Sequence, residues 1–569
     1  MNDYNKIYKY WTSKALEASD LINELESIKD NENDIKERFA LNLEFGTAGL
    51  RGIIGAGTNR MNIYVVRAAT EAFSRHLLKK HDGQEINVSI SYDSRNKSDV
   101  FAIECARVFA ANGIHVNIFK ELEPTPLLSR AVRYYHSQGG VMITASHNPK
   151  EYNGYKAYDD TGCQVNSEDA NSIYGFMSSL DYFDDVKLID FNEGLEKGLI
   201  TYIGEDFFED YYKYVLGLRV SNLEGEKKIK IAYTPLYGTG LKPVTEILKR
   251  AGYANVFVNK TQELPDGNFP TCPYPNPETK AAMELIKEQM LNEGSDIAIA
   301  TDPDADRVAM VINHHGEAKY ITGNEAGILM LDYIANAKKE CGTLNPNSVM
   351  VKTIVSSDMV YPVAKKYGVE VRDVLTGFKY IGDVIKTLEK DNEANRFLLG
   401  FEESIGYLTG TGVRDKDAVN ASLIMAEMAE YYLRQNKNIY ERMKELYEEF
   451  GYALSVTNSF TFPGLDGLDK MKNIMNIYRN EFKNRLSNLD AIYDYELQTV
   501  TKDNEVTPLI GLPKSNVISF KFLNGIKVTI RPSGTEPKIK VYYYLIDKHE
   551  ENLIKLKEEY SSLFEEILK

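Results

Sequence analysis

The chain has 569 residues, 43% hydrophobic and 26% charged, with a formal net charge of −16. Those values describe an ordinary globular protein of about four domains at roughly 150 residues each, and they argue against nucleic acid or an anionic membrane as a partner. No apolar run approaches the roughly 18 residues of a membrane span, and the opening Met1-Asn2-Asp3-Tyr4-Asn5-Lys6 lacks a signal peptide's apolar core, so a cytoplasmic location is expected.

Residues 4–18 and 21–40 read as amphipathic helices, with Trp11 placed to pack onto the domain that follows. A glycine-rich loop comes next, Phe45-Gly46-Thr47-Ala48-Gly49-Leu50-Arg51-Gly52, carrying one Arg. Three stretches then repeat one βαβαβ plan. The first has strands at 86–93, 115–119 and 141–145, with helices at 99–112 and 126–135. In the second the strands are 229–234, 256–258 and 297–301, and the helices 241–251 and 277–291. The third places strands at 349–355, 369–374 and 397–400, and helices at 359–367 and 380–390. Each first helix stops before a glycine (Gly113, Gly252, Gly368), as at a left-handed C-cap. From about residue 451 the pattern changes. Strands 517–523 and 526–530 flank Asn524-Gly525, a strong hairpin signal, and a strand at 538–546 and a helix at 550–568 follow. Connections near 195–206 and 316–323 suggest units of 1–205, 206–318, 319–448 and 449–569: three α/β units and a C-terminal α+β unit.

The third strand of each repeat ends on different chemistry, Ser146, Asp302 and Glu402. Ligands in open α/β sheets sit beyond the carboxyl ends of strands. Ser146 lies in Thr144-Ala145-Ser146-His147-Asn148-Pro149, on what should be an exposed turn. A serine activated by a base or a metal can carry a transferable phosphoryl group; taken alone, a capping turn with a structural His explains the segment as well. Asp302-Pro303-Asp304-Ala305-Asp306-Arg307 sets three carboxylates at alternating positions after a buried strand, a donor set for a hard divalent ion such as Mg²⁺. It is no EF-hand, because Arg307 and Asn313 stand where that loop needs Gly and Glu. Arg531-Pro532-Ser533-Gly534-Thr535-Glu536-Pro537-Lys538 joins a guanidinium fork to two hydroxyls and a glycine, which suits an anion. Glu402-Glu403-Ser404 and Thr376-Gly377-Phe378-Lys379 meet at one sheet edge and suit sugar hydroxyls.

Neither a CxxC pair nor a GxxxxGK[ST] loop occurs, which speaks against zinc, a disulfide framework and a nucleotide P-loop. Cys105 falls on an apolar helix face and reads as a buried thiol. On so acidic a chain, cations inside motifs are informative. Together the motifs imply phosphoryl transfer between a serine and a sugar phosphate, without ATP.

These motifs, in this order and one per unit, resemble the α-D-phosphohexomutase superfamily, and in particular its phosphoglucomutases. The resemblance covers essentially the whole chain. It implies a heart-shaped, four-domain molecule with a central cleft. Ser146 would carry the phosphoryl group, and Asp302, Asp304 and Asp306 would share Mg²⁺ with it. His147, Lys156, Arg51 and Arg307 would surround the transferring group, with Lys156 as general acid/base. Thr376, Gly377, Lys379, Glu402 and Ser404 would grip the sugar, and Arg531, Ser533, Gly534 and Thr535 the non-reacting phosphate. Glucose 1,6-bisphosphate would serve as activator, and the protein would act on sugar phosphates as a monomer or dimer. Ile405-Gly406-Tyr407, after Glu402-Glu403-Ser404, resembles the long-chain branch of bacterial phosphoglucomutases and of phosphopentomutases. A phosphomannomutase or phosphopentomutase is the alternative, then a metal-dependent phosphatase or a silent sugar-phosphate sensor.

Overall fold

A computed structural model describes residues 3–46, 49–221, 223–462, 466–533 and 538–568. Its strands form four sheets. The first runs Gly49–Ile53, Tyr152–Asp159, Gly139–Ile143, Asn87–Tyr92, His115–Ile118, Ile200–Tyr202. The second is Glu317–Ile321, Val308–His314, Ile297–Thr301, Ile231–Thr234, Val256–Val258; the third is Glu370–Val374, Val349–Thr353, Phe397–Glu402, Gly406–Leu408.

The βαβαβ repeats are present in all three, with parallel pairing across each repeat. Gly113, Gly252 and Gly368 have φ of 77°, 89° and 71°, the left-handed exits expected of them. Each sheet also carries an antiparallel strand that the repeat does not contain. Tyr152–Asp159 returns beside Gly139–Ile143, Val308–His314 beside Ile297–Thr301, and Gly406–Leu408 beside Phe397–Glu402. The motif loops are therefore hairpin turns between a third strand and its return strand. Each turn is tight enough to force one non-glycine residue left-handed: Ser146 at φ 51°, Ala305 at 45°, Ile405 at 56°. A close backbone approach fixes the third loop, since a Cβ on Gly323 would stand 2.0 Å from the carbonyl oxygen of Glu403.

The fourth sheet is antiparallel, in the order Tyr452–Thr461, Lys538–Asp547, Lys527–Pro532, Ile518–Phe522, Leu489–Asp494, Thr499–Lys502, Glu505–Pro508. The hairpin about Asn524-Gly525 forms as expected, with Ile518 opposite Ile530. Helices Gly467–Asn480 and Asn552–Glu565 cover its apolar face through Tyr478 and Phe564, both packed on Phe520.

One helix expectation changes. The helix read over 21–40 is two, Ser19–Ser27 and Glu32–Phe39, because the Asn31 side chain accepts the Asp34 N–H and starts a new helix. Helices Ile63–Lys80, Gly323–Glu340 and Ala418–Leu433 carry no clear apolar stripe in the sequence, since each is buried on most of its surface. The second and third sheets share one apolar core, while the first and fourth have their own. A small patch including Ile354, Leu375, Val517 and Tyr542 joins the fourth sheet to the third. Cys105 is fully buried, as anticipated. No described helix is long and apolar enough to cross a membrane.

Trp11 is 1% exposed and sits edge-on to Phe39, Tyr64 and Phe183 at 5.8, 5.7 and 5.3 Å. Trp11→Ala should cost about 3–5 kcal/mol of helix docking. Hydrogen exchange should then quicken across residues 3–39 and leave the fourth sheet unchanged.

Candidate active site

Ser146 is not on an exposed turn; it is 3% exposed, beneath the aspartate loop of the second sheet. Its hydroxyl donates to Asp302 Oδ2 at 2.7 Å and lies 3.1 Å from His147 Nδ1. The loop is clamped from below. Thr144 Oγ1 accepts the Ser146 N–H at 2.8 Å and donates to Asp93 Oδ2 at 2.6 Å. Arg95, 2% exposed, donates to the carbonyls of Ser146 (2.5 Å), Asn148, Pro149 (2.9 Å) and Tyr152 (3.1 Å). Four carbonyls on one planar guanidinium define the loop's path, and the serine's left-handed backbone aims its hydroxyl at the second sheet.

The carboxylates of Asp302, Asp304 and Asp306 are buried, with candidate ligand oxygens all within 4.8 Å of one another. Burial, then Asp304 and Asp306, push Asp302 well above the carboxylate range. Burial works on Asp304 in the same sense, but Lys156 outweighs it and holds that carboxyl below its ordinary value. Lys156 Nζ donates to Asp304 Oδ2 at 2.7 Å and Asp306 Oδ2 at 3.4 Å, while Thr125 Oγ1 donates to Asp304 Oδ2 at 2.9 Å. Lys416 Nζ lies 3.1 Å from Asp306 Oδ2. Among the described residues, Asp304 Oδ1 and Asp306 Oδ1 are buried and have no hydrogen-bond partner. Orphaned carboxylate oxygens at a cluster of like charges are what a divalent cation would satisfy, so the donor set fits a metal.

Cations ring this centre. Burial opposes charge on Lys156 and Lys416, yet the neighbouring aspartates hold both ammonium groups above their ordinary range. Arg307 donates its backbone N–H to Asp302 Oδ1 at 3.0 Å, and its Nε is 3.7 Å from Asp306 Oδ1. Arg51 is exposed at the rim, its Nη1 3.4 Å from Asn148 Oδ1. Burial, then Arg307, Arg51, Arg95 and Lys156, hold His147 well below the usual histidine value, so its imidazole is neutral.

The third unit contributes the adjoining wall. Glu402 Oε1 accepts the Gly377 N–H at 2.8 Å, and burial raises its pKa. Thr376 Oγ1 is buried with no hydrogen-bond partner among the described residues, and Ser404 and Lys379 are half-buried nearby in sequence. Glu403 accepts from Thr353 Oγ1 at 3.0 Å and Ser356 Oγ at 3.3 Å, so the adjacent glutamates have different partners. On the fourth sheet Arg531 stands opposite Lys540. Lys540 feels Glu403, Arg531 and Arg307, which places the end of this sheet over the same region. The Ser533 N–H donates to the Lys538 carbonyl at 2.7 Å; Thr47, Ala48, Gly534 and Thr535 lie outside the described residues.

Sequence reasoning missed Asp93, Arg95, Thr125 and Lys416. The signal for Lys416 was available, because Arg414-Asp415-Lys416-Asp417 puts four charges directly before an apolar helix. Arg95 gave none, since its role is to bond carbonyls more than 50 residues away. A millimolar divalent cation should raise the thermal midpoint of the wild type by preferential binding to the folded state. In Asp304→Asn that rise should disappear, with little loss of stability before the cation is added; an undiminished rise would place the metal elsewhere.

Comparison with known proteins matches three family models to the chain. They are phosphoglucomutase/phosphomannomutase α/β/α domain I over residues 42–183, domain II over 209–316 and domain III over 322–450. A phosphoglucomutase of Staphylococcus saprophyticus is 37% identical over 508 residues, covering 88% of this chain and 90% of its own. A phosphomannomutase of Mycoplasmoides pirum is 32% identical over 568 residues, covering 99% and 98%. Among solved structures, an exocytosis-sensitive phosphoprotein of Paramecium, a phosphoglucomutase in an open form, superposes with a TM-score of 0.69 at 18% identity, covering 92% of this chain and 96% of that one. With the repeats, the aspartate loop and the seryl turn in one arrangement, the chain belongs to the phosphoglucomutase/phosphomannomutase family.

Proposed function

We propose that the protein is a phosphoglucomutase, interconverting α-D-glucose 1-phosphate and glucose 6-phosphate through phospho-Ser146 and a bound glucose 1,6-bisphosphate, in the cytoplasm. The observation that carries this reading is the Ser146 hydroxyl, 2.7 Å from Asp302 at the edge of a buried aspartate cluster with two orphaned oxygens. Asp302, Asp304 and Asp306 would hold Mg²⁺, whose chemistry would be to neutralise the phosphoryl oxygens as a Lewis acid. Glucose 1,6-bisphosphate would be the activator that loads the serine. We divide the chain at 1–205, 206–318, 319–448 and 449–569, each unit holding most of one sheet, with the strand Glu317–Ile321 of the second sheet running across the 318/319 division.

Ser146 is the phosphoryl carrier. A phosphoserine brings about −1.5 to −2 charges, which Lys156, Lys416, Arg307 and Arg51 are placed to offset. The sugar hydroxyl bonds to phosphorus as the Ser146 Oγ–phosphorus bond breaks. Lys156, held as an ammonium, gives a proton to the leaving Oγ and takes in its place the one released by the attacking hydroxyl. His147, neutral and 3.1 Å from Oγ, orients the seryl oxygen. Thr376, Gly377, Lys379, Glu402 and Ser404 hold the sugar; Arg531 and Ser533, with Gly534 and Thr535, hold the distal phosphate. The catalytic effect is then positioning and charge neutralisation. After the first transfer the bisphosphate turns end for end, and its other phosphate returns to Ser146. The fourth sheet, which has an apolar core of its own and meets the third unit through a small apolar patch and Tyr544, is the part that opens for that turn.

The name of the Mycoplasmoides pirum relative favours a second reading, a phosphomannomutase, and the Ile405-Gly406-Tyr407 continuation leaves a pentose phosphate as a third. Relative kcat/KM on glucose, mannose and ribose 1-phosphates decides among them. Ser146→Ala should abolish turnover and the fraction of protein that carries one phosphate by intact mass; full activity would sink the assignment. Arg531→Ala removes a charge-assisted contact of roughly 1.5–3 kcal/mol, so kcat/KM should fall about 10- to 150-fold. More bisphosphate should escape per turnover in that variant, while Ser146 still accepts a phosphoryl group from added bisphosphate. Lost phosphorylation with unchanged KM and unchanged escape would move Arg531 to the catalytic centre.

A further inference from the structure

A second cavity, of about 490 Å³, lies at the opposite pole of the second and third sheets from the aspartate loop. It opens where the helices Glu205–Leu216, Leu241–Arg250 and Gly323–Glu340 end and where strands Ile231–Thr234 and Val349–Thr353 begin. Arg219, Lys227 and Lys338 line it, three cations on a chain of net charge −16. Lys227 is only 9% exposed, and among the described residues its ammonium makes neither an ion pair nor a hydrogen bond. Arg219 spends one N–H on the Leu216 carbonyl, at 3.1 Å, and keeps the rest of its fork.

The nearest carboxylates are already committed. Glu427 Oε1 accepts the Ser221 N–H at 2.6 Å and the Val220 N–H at 3.0 Å. Glu430 accepts the Lys228 and Ile229 N–H groups at 2.8 and 2.9 Å, and Arg434 Nε at 2.7 Å. Both tie the chain at 220–229 to the helix Ala418–Leu433; they reach Lys227 only at a distance and without an ion pair, and Glu427 shares the cavity wall. The Lys227 stem is buried and its ammonium opens on the cavity, where an anion would give it the ion pair it lacks. The cavity is several times larger than one phosphate and falls in the range of small-molecule sites. Leu216, Val220 and Leu223 offer apolar wall beside the cations.

We propose that this cavity binds the phosphate group of a small phosphorylated metabolite, held by Lys227, Arg219 and Lys338, at a site separate from the catalytic cleft. The proposal is independent of which sugar phosphate the enzyme converts.

Cys341 lines the same cavity and is the one exposed cysteine of the four, so the full-length protein reports on the site itself. Alkylation of Cys341 by neutral iodoacetamide, followed by mass spectrometry, should slow at least fivefold with phenyl phosphate. Orthophosphate should protect at higher concentration, and sodium chloride at equal ionic strength should not. Lys227→Met and, on the half-exposed helix surface, Lys338→Met should each remove most of the protection. Arg531→Ala should keep it. Equal protection by chloride, or full protection in both lysine variants, would mean that the cations only cap helix carbonyl ends, and would overturn the site. Loss of protection in Arg531→Ala would return the effect to the catalytic cleft. Phenyl phosphate no better than orthophosphate would overturn the assignment to an organic phosphate.

Discussion

Three carboxylates buried within one short loop repel one another, and no segment of the second unit alone can compensate them. Lys156 comes from the return strand of the first unit, Lys416 from the third unit, and Arg307 from the loop itself. Thr125, also of the first unit, adds a backbone N–H to the Asp304 carbonyl at 2.9 Å and a hydroxyl to its carboxylate. The aspartate loop is therefore where three units must meet. If one withdraws, a charge is left buried and unpaired, which costs several kcal/mol. The requirement that neutralises the loop also fixes Ser146 against it.

The return strands set the shape of the site. A βαβαβ repeat ending in a helix would carry its third-strand loop away along the sheet face. An immediate antiparallel return keeps the loop at the carboxyl edge and holds its tip over the strands. Left-handed residues at Ser146, Ala305 and Ile405 store strain, which Arg95, the Ala305–Asp302 turn bond and the capping box of Thr322 with Glu325 oppose from beneath. The site is rigid on three sides. Its fourth side is joined to the third unit by the small apolar patch, by the Lys527–Asp358 ion pair at 2.5 Å and by Tyr544, which packs into the core of the second and third sheets. A clamp with an apolar core of its own, beside rigid chemistry, suits an intermediate that must be released, turned and recaptured within one cleft.

The sequence by itself determined the repeats, their glycine exits and the Asn524-Gly525 hairpin, because these rest on local backbone preferences and periodicity. It also identified Ser146, the aspartates and Glu402, since strand ends are where chemistry gathers in such sheets and alternating Asp residues have few other uses. Only the tertiary structure decided that Ser146 is buried, that Glu402 bonds the Gly377 N–H while Glu403 bonds Thr353 and Ser356, and that Arg95 and Lys416 belong to the site. The return strands Tyr152–Asp159 and Val308–His314, buried on both faces over most of their length, and helices such as Ile63–Lys80 that are covered on most sides, carried no readable contrast between faces. The reason is physical: burial and charge compensation depend on residues brought together from 50 to more than 200 positions apart, and a single chain read in order holds no record of those distances.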